Sequence, residues 1–231
     1  MGDSSSKKRM AAVIAAVALT VPLLIGATTL FGWGGGDDDG PTTGTAADAQ
    51  VLRDFAAGLA DGQELTYTAG YTTGKGTAVT AVQEAPRRAY RSAAAVYLAG
   101  PDANILCRTP NGEKPGCVRS AGTDGIPLTH AKALVDVLAP DFIAPELVSA
   151  YLSRLAARVP GTVKRMARDI AGRPTDCVQV AQVVTACATA DGVLAFFESP
   201  DGRLTLTTYR AAVTDADFAL PTGAVVTDVD G

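Results

Sequence analysis

Histidine is almost absent from this chain, since only His130 among 231 residues carries an imidazole. A Ser-His-Asp or Cys-His nucleophile would depend on that one side chain, and no Gly-x-Ser-x-Gly turn presents a serine. The glycines at 70, 74 and 76 lack the following helix of a phosphate-binding loop, and neither internal repeats nor strand-helix-strand alternation is present. We therefore predict a protein that is not an enzyme, with no catalytic residue, no cofactor and no metal.

Two carboxylate pairs remain as candidates for general acid and base chemistry. Asp136 and Asp141 form one pair, and Asp215 and Asp217 form the other. Acidic residues near turns and helix ends are usually solvated, so we assign neither pair a catalytic role.

An excess of positive charge is also absent from the part of the chain after Trp33. That part has 17 Lys and Arg against 23 Asp and Glu, a net charge of -6. It shows no basic stripe and no interleaved aromatic set that would bind a phosphate backbone. Nucleic acid is therefore not an expected partner.

Charged residues are missing altogether from the run between Met10 and Phe31, which follows three cations at positions 7 to 9. A helix over this run is roughly 33 Å long, enough for a hydrocarbon core of about 30 Å. Basic residues are retained on the cytoplasmic side. We expect a single-pass protein of the cell membrane with a cytoplasmic N-terminus and an extracytoplasmic C-terminal domain.

A cleaved secretory signal is the alternative for this segment, and cleavage stays open. The apolar run is longer than usual for a signal, and the best cleavage site, Ile25-Gly26-Ala27, has a bulky residue at a key position. A lipoprotein signal is excluded because the first cysteine is Cys107.

Composition divides the chain into four parts. Residues 1–9 form a cytoplasmic basic tail, 10–33 a transmembrane signal-anchor, 34–46 a flexible Gly/Asp/Thr linker, and 47–231 an extracytoplasmic domain. The last part is long enough to bury its own core.

The only four cysteines form two pairs with equal spacing. Cys107 and Cys117 are ten residues apart, as are Cys177 and Cys187, and Asn111-Gly112 is a hairpin signal between the first two. Of the three possible connectivities we predict the two local disulfides, which suit an oxidising compartment. The alternative, a zinc site, would need thiolates at closer spacing.

Period-two patterns bounded by turn residues predict most of the secondary structure as strands. They cover Leu65–Tyr71, Thr77–Gln83, Arg88–Ser92, Ala94–Leu98, Ile105–Arg108, Cys117–Ala121, Thr162–Ile170, Cys177–Val183, Val184–Thr189, Val193–Glu198 and Leu204–Val213. Apolar residues at helical spacing predict three helices, one over Val51–Leu59, one over Thr129–Leu138 and one from Pro145 to Val159. Together these patterns predict an α+β domain whose helices cover one face of an antiparallel sheet.

Several segments resemble extracytoplasmic proteins of the LolA and LppX type. Ala85–Arg91 resembles the Pro-x-Arg-aromatic-Arg segment of that family, and Ile170–Cys177, Cys187 with Asp191-Gly192, and Asp217–Pro221 are similar to membrane-anchored actinobacterial relatives. The resemblance spans most of Leu65 to Pro221. It implies a curved antiparallel half-barrel of about 10–11 strands with helices on its concave face, and several members carry lipids or lipoproteins there. Many relatives are lipoproteins, whereas this chain lacks the anchoring cysteine.

Two functions are compatible with these features. In one, a lipid or other hydrophobic ligand binds between sheet and helices, in a cavity lined by Leu65, Val79, Val96, Leu147, Leu155, Val180 and Phe196. In the other, the core is filled and the domain is a non-catalytic interaction or sensing module that binds an envelope protein. The tyrosines at 67, 71, 90, 97 and 151 are predicted to fill a core rather than a pocket.

Overall fold

The structure, a computed structural model, describes residues 44–109, 114–123, 134 and 136–229. The predicted anchor, His130 and the Asn111-Gly112 turn lie outside the described residues. No helix within the described ranges is long and apolar enough to cross a membrane.

Two helices have complete bounds, and their first residues explain where they begin. Helix α1 spans Ala46–Asp61 and starts at Thr45, which forms a capping box with Asp48. Helix α2 spans Pro145–Leu155, with the proline at its first position, where the missing N–H costs no hydrogen bond. Helix α1 includes Ala46, which we assigned to the linker from sequence.

The remaining described elements are twelve strands and two short 3-10 helices. The strands are β1 (Tyr67–Thr73), β2 (Ala78–Glu84), β3 (Arg87–Arg91), β4 (Ala95–Ala99), β5 (Ala103–Arg108), β6 (Gly116–Ala121), β7 (Val163–Ile170), β8 (Arg173–Val180), β9 (Val184–Thr189), β10 (Leu194–Ser199), β11 (Gly202–Arg210) and β12 (Val225–Asp228). The 3-10 helices are Gly62–Glu64 and Asp215–Phe218.

All twelve strands belong to one open sheet in the order β12-β6-β5-β4-β3-β2-β1-β11-β10-β9-β8-β7. Neighbouring strands are antiparallel except β12, which pairs in parallel with β6. The predicted antiparallel sheet with helices on one face is confirmed for β1 to β11, and the arrangement is consistent with a curved half-barrel. The predicted number of 10–11 strands was wrong, because the sheet has twelve strands and β12 was not predicted.

The bounds of α2 and β8 also differ from the prediction, since α2 ends at Leu155 rather than at Val159 and β8 begins at Arg173 rather than at Cys177. Arg173 and Pro174, which lie between two predicted strands, are the first residues of β8, where a proline is tolerated. The turn before them is formed by Ala171 and Gly172, both with positive φ. Of the helix predicted over Thr129–Leu138, Leu134, Asp136 and Val137 are helical.

The main hydrophobic core lies between the two helices and one face of the sheet. Leu52 and Ala56 of α1, and Val148 and Leu152 of α2, pack into it and are at most 1% exposed. The opposite face carries two smaller clusters, each centred on a pair of cysteines. Alternation of side chains along each strand therefore separates a helix-covered face from a disulfide face.

The end of α1 contacts the turn between β9 and β10 through backbone alone. A Cβ on Gly62 would lie 2.2 Å from the Gly192 carbonyl oxygen, and a Cβ on Gly192 would lie 2.1 Å from the Gly58 carbonyl oxygen. Gly192 also has φ +84, which favours glycine. These two positions set how closely α1 approaches the sheet.

Candidate binding cleft

The floor of the candidate cleft is formed by alternate residues of β5 and β6. Asn104 is paired with Ser120, Leu106 with Val118, and Arg108 with Gly116. These three cross-strand pairs lie on the helix-covered face, because Leu106 packs against the main core while Cys107 belongs to the disulfide face.

Side chains from three other parts of the chain complete the cleft. Tyr97 of β4 is the neighbour of Leu106 in the sheet, Leu134 lies above the floor, and Val229 follows β12. The volume of this open cleft is about 470 Å³. This size falls within the ~300–1,000 Å³ that is usual for small-molecule sites.

The middle of the cleft is apolar and its two ends are polar. At one end the Asn104 side chain is 2% exposed, and its Nδ2 donates to the Ala121 carbonyl oxygen at 2.9 Å and to Thr123 Oγ1 at 3.1 Å. Asn104 Oδ1 is buried and accepts no hydrogen bond from any residue that the structure describes. At the other end Arg108 is exposed to solvent. The cleft therefore offers apolar walls between an amide acceptor and a cation.

A disulfide lies directly behind this floor. Cys107 and Cys117 are cross-strand partners with an S–S distance of 2.09 Å, and each cysteine is flanked by residues that line the cleft. Cys177 and Cys187 form the second disulfide, at 2.06 Å, across β8 and β9. Both predicted disulfides are confirmed, so these sulfurs are not thiolates available to zinc.

The seven residues that we predicted as cavity lining do not come together around this cleft. Val79 and Val180 are buried in the main core. Leu65, Leu147 and Leu155 are partly buried against it, and Leu147 also borders a small cavity of about 180 Å³.

The other two predicted lining residues lie on the opposite face of the sheet. Val96 packs with the first disulfide and Phe196 with the second. The residues that line the cleft were missed because their sequence signal was only strand alternation, which does not tell which face is covered.

The tyrosines mostly fill the core, as predicted. Tyr67, Tyr71 and Tyr90 are at most 4% exposed, and the Tyr71 hydroxyl donates to the Leu194 carbonyl oxygen at 2.9 Å. Tyr97 is equally buried but also borders the cleft. Tyr151 is half-buried and stacks edge-on against Phe197.

A polar cluster is buried beneath the first turn of α2. The Tyr90 hydroxyl donates a hydrogen bond to Glu146 Oε2, while Glu146 Oε1 and Arg88 Nε are buried without a partner among the described residues. Burial raises the pKa of Glu146, and the Tyr90 hydrogen bond and the Arg88 charge act against that rise. Burial, followed by the Glu146 charge, raises the pKa of Tyr90.

The carboxylate pairs have structural contacts. Asp217 accepts hydrogen bonds from the hydroxyl and the backbone of Thr214, which lower its pKa, and forms an ion pair with Arg210 at 3.3 Å. Asp141 forms an ion pair with Lys75, also at 3.3 Å. Among the described residues, no three His, Cys, Asp or Glu side chains are close enough to hold a metal ion.

No protein-family profile and no curated protein matches the chain. Among solved structures, an uncharacterized conserved protein from Thermus thermophilus is similar at 9% identity and TM-score 0.46, covering 78% of this chain and 100% of that one. Two crystal forms of PNGF-II are similar at 10% and 9% identity, with TM-scores of 0.36 and 0.37 and coverage of 71% and 72% of this chain. The matched part spans about a third of PNGF-II, at 31% and 32%. Similarity at this level establishes neither a shared fold nor a function.

Proposed function

We propose that the protein is a membrane-anchored extracytoplasmic binding protein that holds a hydrophobic or amphiphilic ligand in the cleft over β5 and β6. The observation that carries the proposal is the cleft itself, a mainly apolar space of about 470 Å³ beside the main core. Protein interiors are close-packed, so an open apolar space of this size is a place where a ligand gains contacts that the protein lacks.

The polar ends of the cleft support an amphiphilic ligand rather than a purely apolar one. An apolar chain fits against Tyr97, Leu106 and Val118, and an anionic head group would pair with the exposed Arg108 guanidinium. Asn104 Oδ1 would accept a hydrogen bond from a hydroxyl or amide of the ligand, which would satisfy a buried acceptor.

Native mass spectrometry of the protein purified from its own membrane, followed by organic extraction, tests this function. We expect a co-purified amphiphile at near one-to-one stoichiometry. Val118→Trp fills the cleft from a side chain that is 49% exposed, so it should abolish the bound mass without unfolding the core. Val183→Trp is the matched control, because Val183 is 48% exposed in the turn between β8 and β9.

A bare protein in the wild type, or equal ligand content in both tryptophan variants, would contradict the carrier. A second function then gains support from another observation. Three of the four large apolar side chains that are exposed in the described part of the chain lie on or next to β6 and β12: Val118, Val225 and Val229. This edge would suit an interaction module that binds another envelope protein.

A further inference from the structure

Positive charge is concentrated in one stretch of an otherwise acidic domain. Between Glu146 and Asp169 the chain has five cations and no acidic residue. Four of them follow the end of α2 or lie on β7, and we refer to them as the basic edge: Arg158, Lys164, Arg165 and Arg168.

The basic edge occupies one end of the sheet and is open to solvent. β7 is the last strand in the sheet order, and all four side chains of the basic edge are exposed. None of them forms an ion pair within the described ranges, whereas Arg119, Arg173 and Arg210 elsewhere in the domain do. Arg168 instead donates to Met166 Sδ and lies 5.7 Å from the Phe196 ring. These four side chains are therefore free of close ion pairs with the acidic residues that the structure describes.

The N-terminal part of the chain joins the domain in the middle of this surface. The Gly44 N–H donates to the Val159 carbonyl oxygen at 3.0 Å, and Asp48 Oδ1 accepts from the Val163 N–H at 2.9 Å. Both contacts fall between Arg158 and Lys164 in sequence. Ten residues separate Trp33 from Gly44, so that segment reaches at most about 35 Å.

A shallow hollow beside Lys164 offers donors that suit a lipid head group. It measures about 360 Å³ and is lined by Lys164, Gln179 and Gln182 together with the Pro160–Thr162 backbone. An ammonium and two amides match the acceptor oxygens of a phosphate ester.

We propose that the basic edge docks on an anionic lipid surface, namely the membrane that holds the predicted anchor. The proposal rests on the membrane anchoring in the proposed function but not on the ligand cleft. Each Lys or Arg within a Debye length of an anionic bilayer is attracted to it, and a tether of ten residues keeps the edge near that surface. Charge complementarity and tether length both favour lipid over a diffusing partner.

Lysine modification in reconstituted vesicles tests the docking. The domain has four lysines, at positions 75, 114, 132 and 164, of which Lys164 is on the basic edge and Lys114 precedes β6 at the other end of the sheet. The full chain is placed in phosphatidylcholine vesicles with and without phosphatidylglycerol and treated with an uncharged amine reagent that does not cross the bilayer. Peptide mass spectrometry gives the ratio of Lys164 to Lys114 modification, which cancels differences in orientation.

We expect this ratio to be about threefold lower on anionic vesicles than on neutral ones, and to recover at about 0.5 M NaCl. Arg165→Gln/Arg168→Gln should abolish the difference. The control, Arg53→Gln/Arg119→Gln, removes the same charge from exposed side chains outside the basic edge and should leave it unchanged. Equal thermal midpoints for both double variants would show that each is folded.

Three results would overturn the proposal. An equal ratio on both vesicles would mean that anionic lipid does not cover Lys164. If Lys164 were protected from the reagent in neutral vesicles or in detergent, the basic edge would be covered by something other than anionic lipid, either the acidic residues Asp37–Asp39 or a second copy of the chain. If Lys164 remained protected in the Arg165→Gln/Arg168→Gln variant, the charges of these two arginines would not be what binds the lipid.

Flotation of the vesicles distinguishes a failure of the docking proposal from a failure of the proposed function. Vesicles that do not retain the chain at high salt would contradict the anchor, whereas retained chain with unprotected Lys164 would contradict only the docking. Ligand content, measured by native mass spectrometry, is independent of both readouts.

Discussion

The Tyr90 hydroxyl donates a hydrogen bond to Glu146, and this contact joins β3 to the first turn of α2 inside the core. Burial raises the pKa of Glu146 above its unfolded value. A folded state with the higher pKa binds the proton more tightly, so this group contributes most stability below its unfolded pKa. That contribution is lost as the pH rises through the folded pKa.

The stability of Glu146→Gln relative to the wild type should therefore rise as the pH increases above about 4.3, the ordinary glutamate pKa. The amide keeps the shape of the side chain but has no charge to desolvate. Urea unfolding between pH 4 and pH 8 measures the difference. The exposed Glu64 supplies the control Glu64→Gln, and an identical pH slope in wild type and Glu146→Gln would refute the assignment.

The contribution of Asp48 to the stability of the domain should change with pH in the opposite direction. Its carboxylate accepts hydrogen bonds from the Thr45 backbone and hydroxyl and from the Val163 backbone, which lower its pKa. The stability from a depressed pKa is present above the unfolded value and is lost as the pH falls through the folded value. In Asp48→Asn, acid below about pH 4 should destabilise the domain less than in the wild type, measured by thermal midpoint at each pH. If the thermal midpoints of the wild type and Asp48→Asn changed with pH in the same way, Asp48 would not have the lowered pKa.

Two glycines of the α1 region should respond to alanine in opposite directions. A Cβ on Gly58 meets nothing within 4 Å, so Gly58→Ala should stabilise the domain by about 0.5–1 kcal/mol through helix propensity. Gly62→Ala places its methyl group against the Gly192 backbone and should destabilise by about 2 kcal/mol or more. Chemical denaturation of both variants tests the pair. A neutral Gly62→Ala would mean that α1 does not approach the sheet this closely.

Removal of the two disulfides should have equal effects on stability and unequal effects on binding. Each closes a ten-residue separation, so Cys107→Ala/Cys117→Ala and Cys177→Ala/Cys187→Ala should each lose about 2–3 kcal/mol. The first pair lies behind the cleft, so ligand retention in native mass spectra should fall only there. Equal ligand loss in both variants would show that the cleft floor does not depend on the adjacent disulfide.

The sequence predicted the sheet well because most strands have one covered face and turn residues at both ends. β12 was missed because Val225–Asp228 is a four-residue edge strand with no alternation of burial. It forms only by pairing in parallel with β6, which is a contact between distant parts of the chain. The start of β8 was predicted too late because of Pro174. A proline often indicates a turn, but it is also tolerated at the beginning of a strand.

The cleft was beyond prediction because its location depends on strand register. Val96 and Leu106 are both apolar residues in neighbouring strands, yet Val96 is paired with Cys107 and so faces away from Leu106. A shift of one residue would exchange the two faces. The disulfides were predictable because they depend only on local hairpins, as Cys107 and Cys117 show.

The two chain ends of the domain attach at opposite edges of the sheet, with Gly44 beside β7 and Val229 beside β6 and β12. Nine strand spacings separate β7 from β5, which corresponds to a path of about 43 Å along the sheet. The cleft therefore lies towards the edge of the sheet that is opposite the point where the N-terminal part of the chain enters the domain.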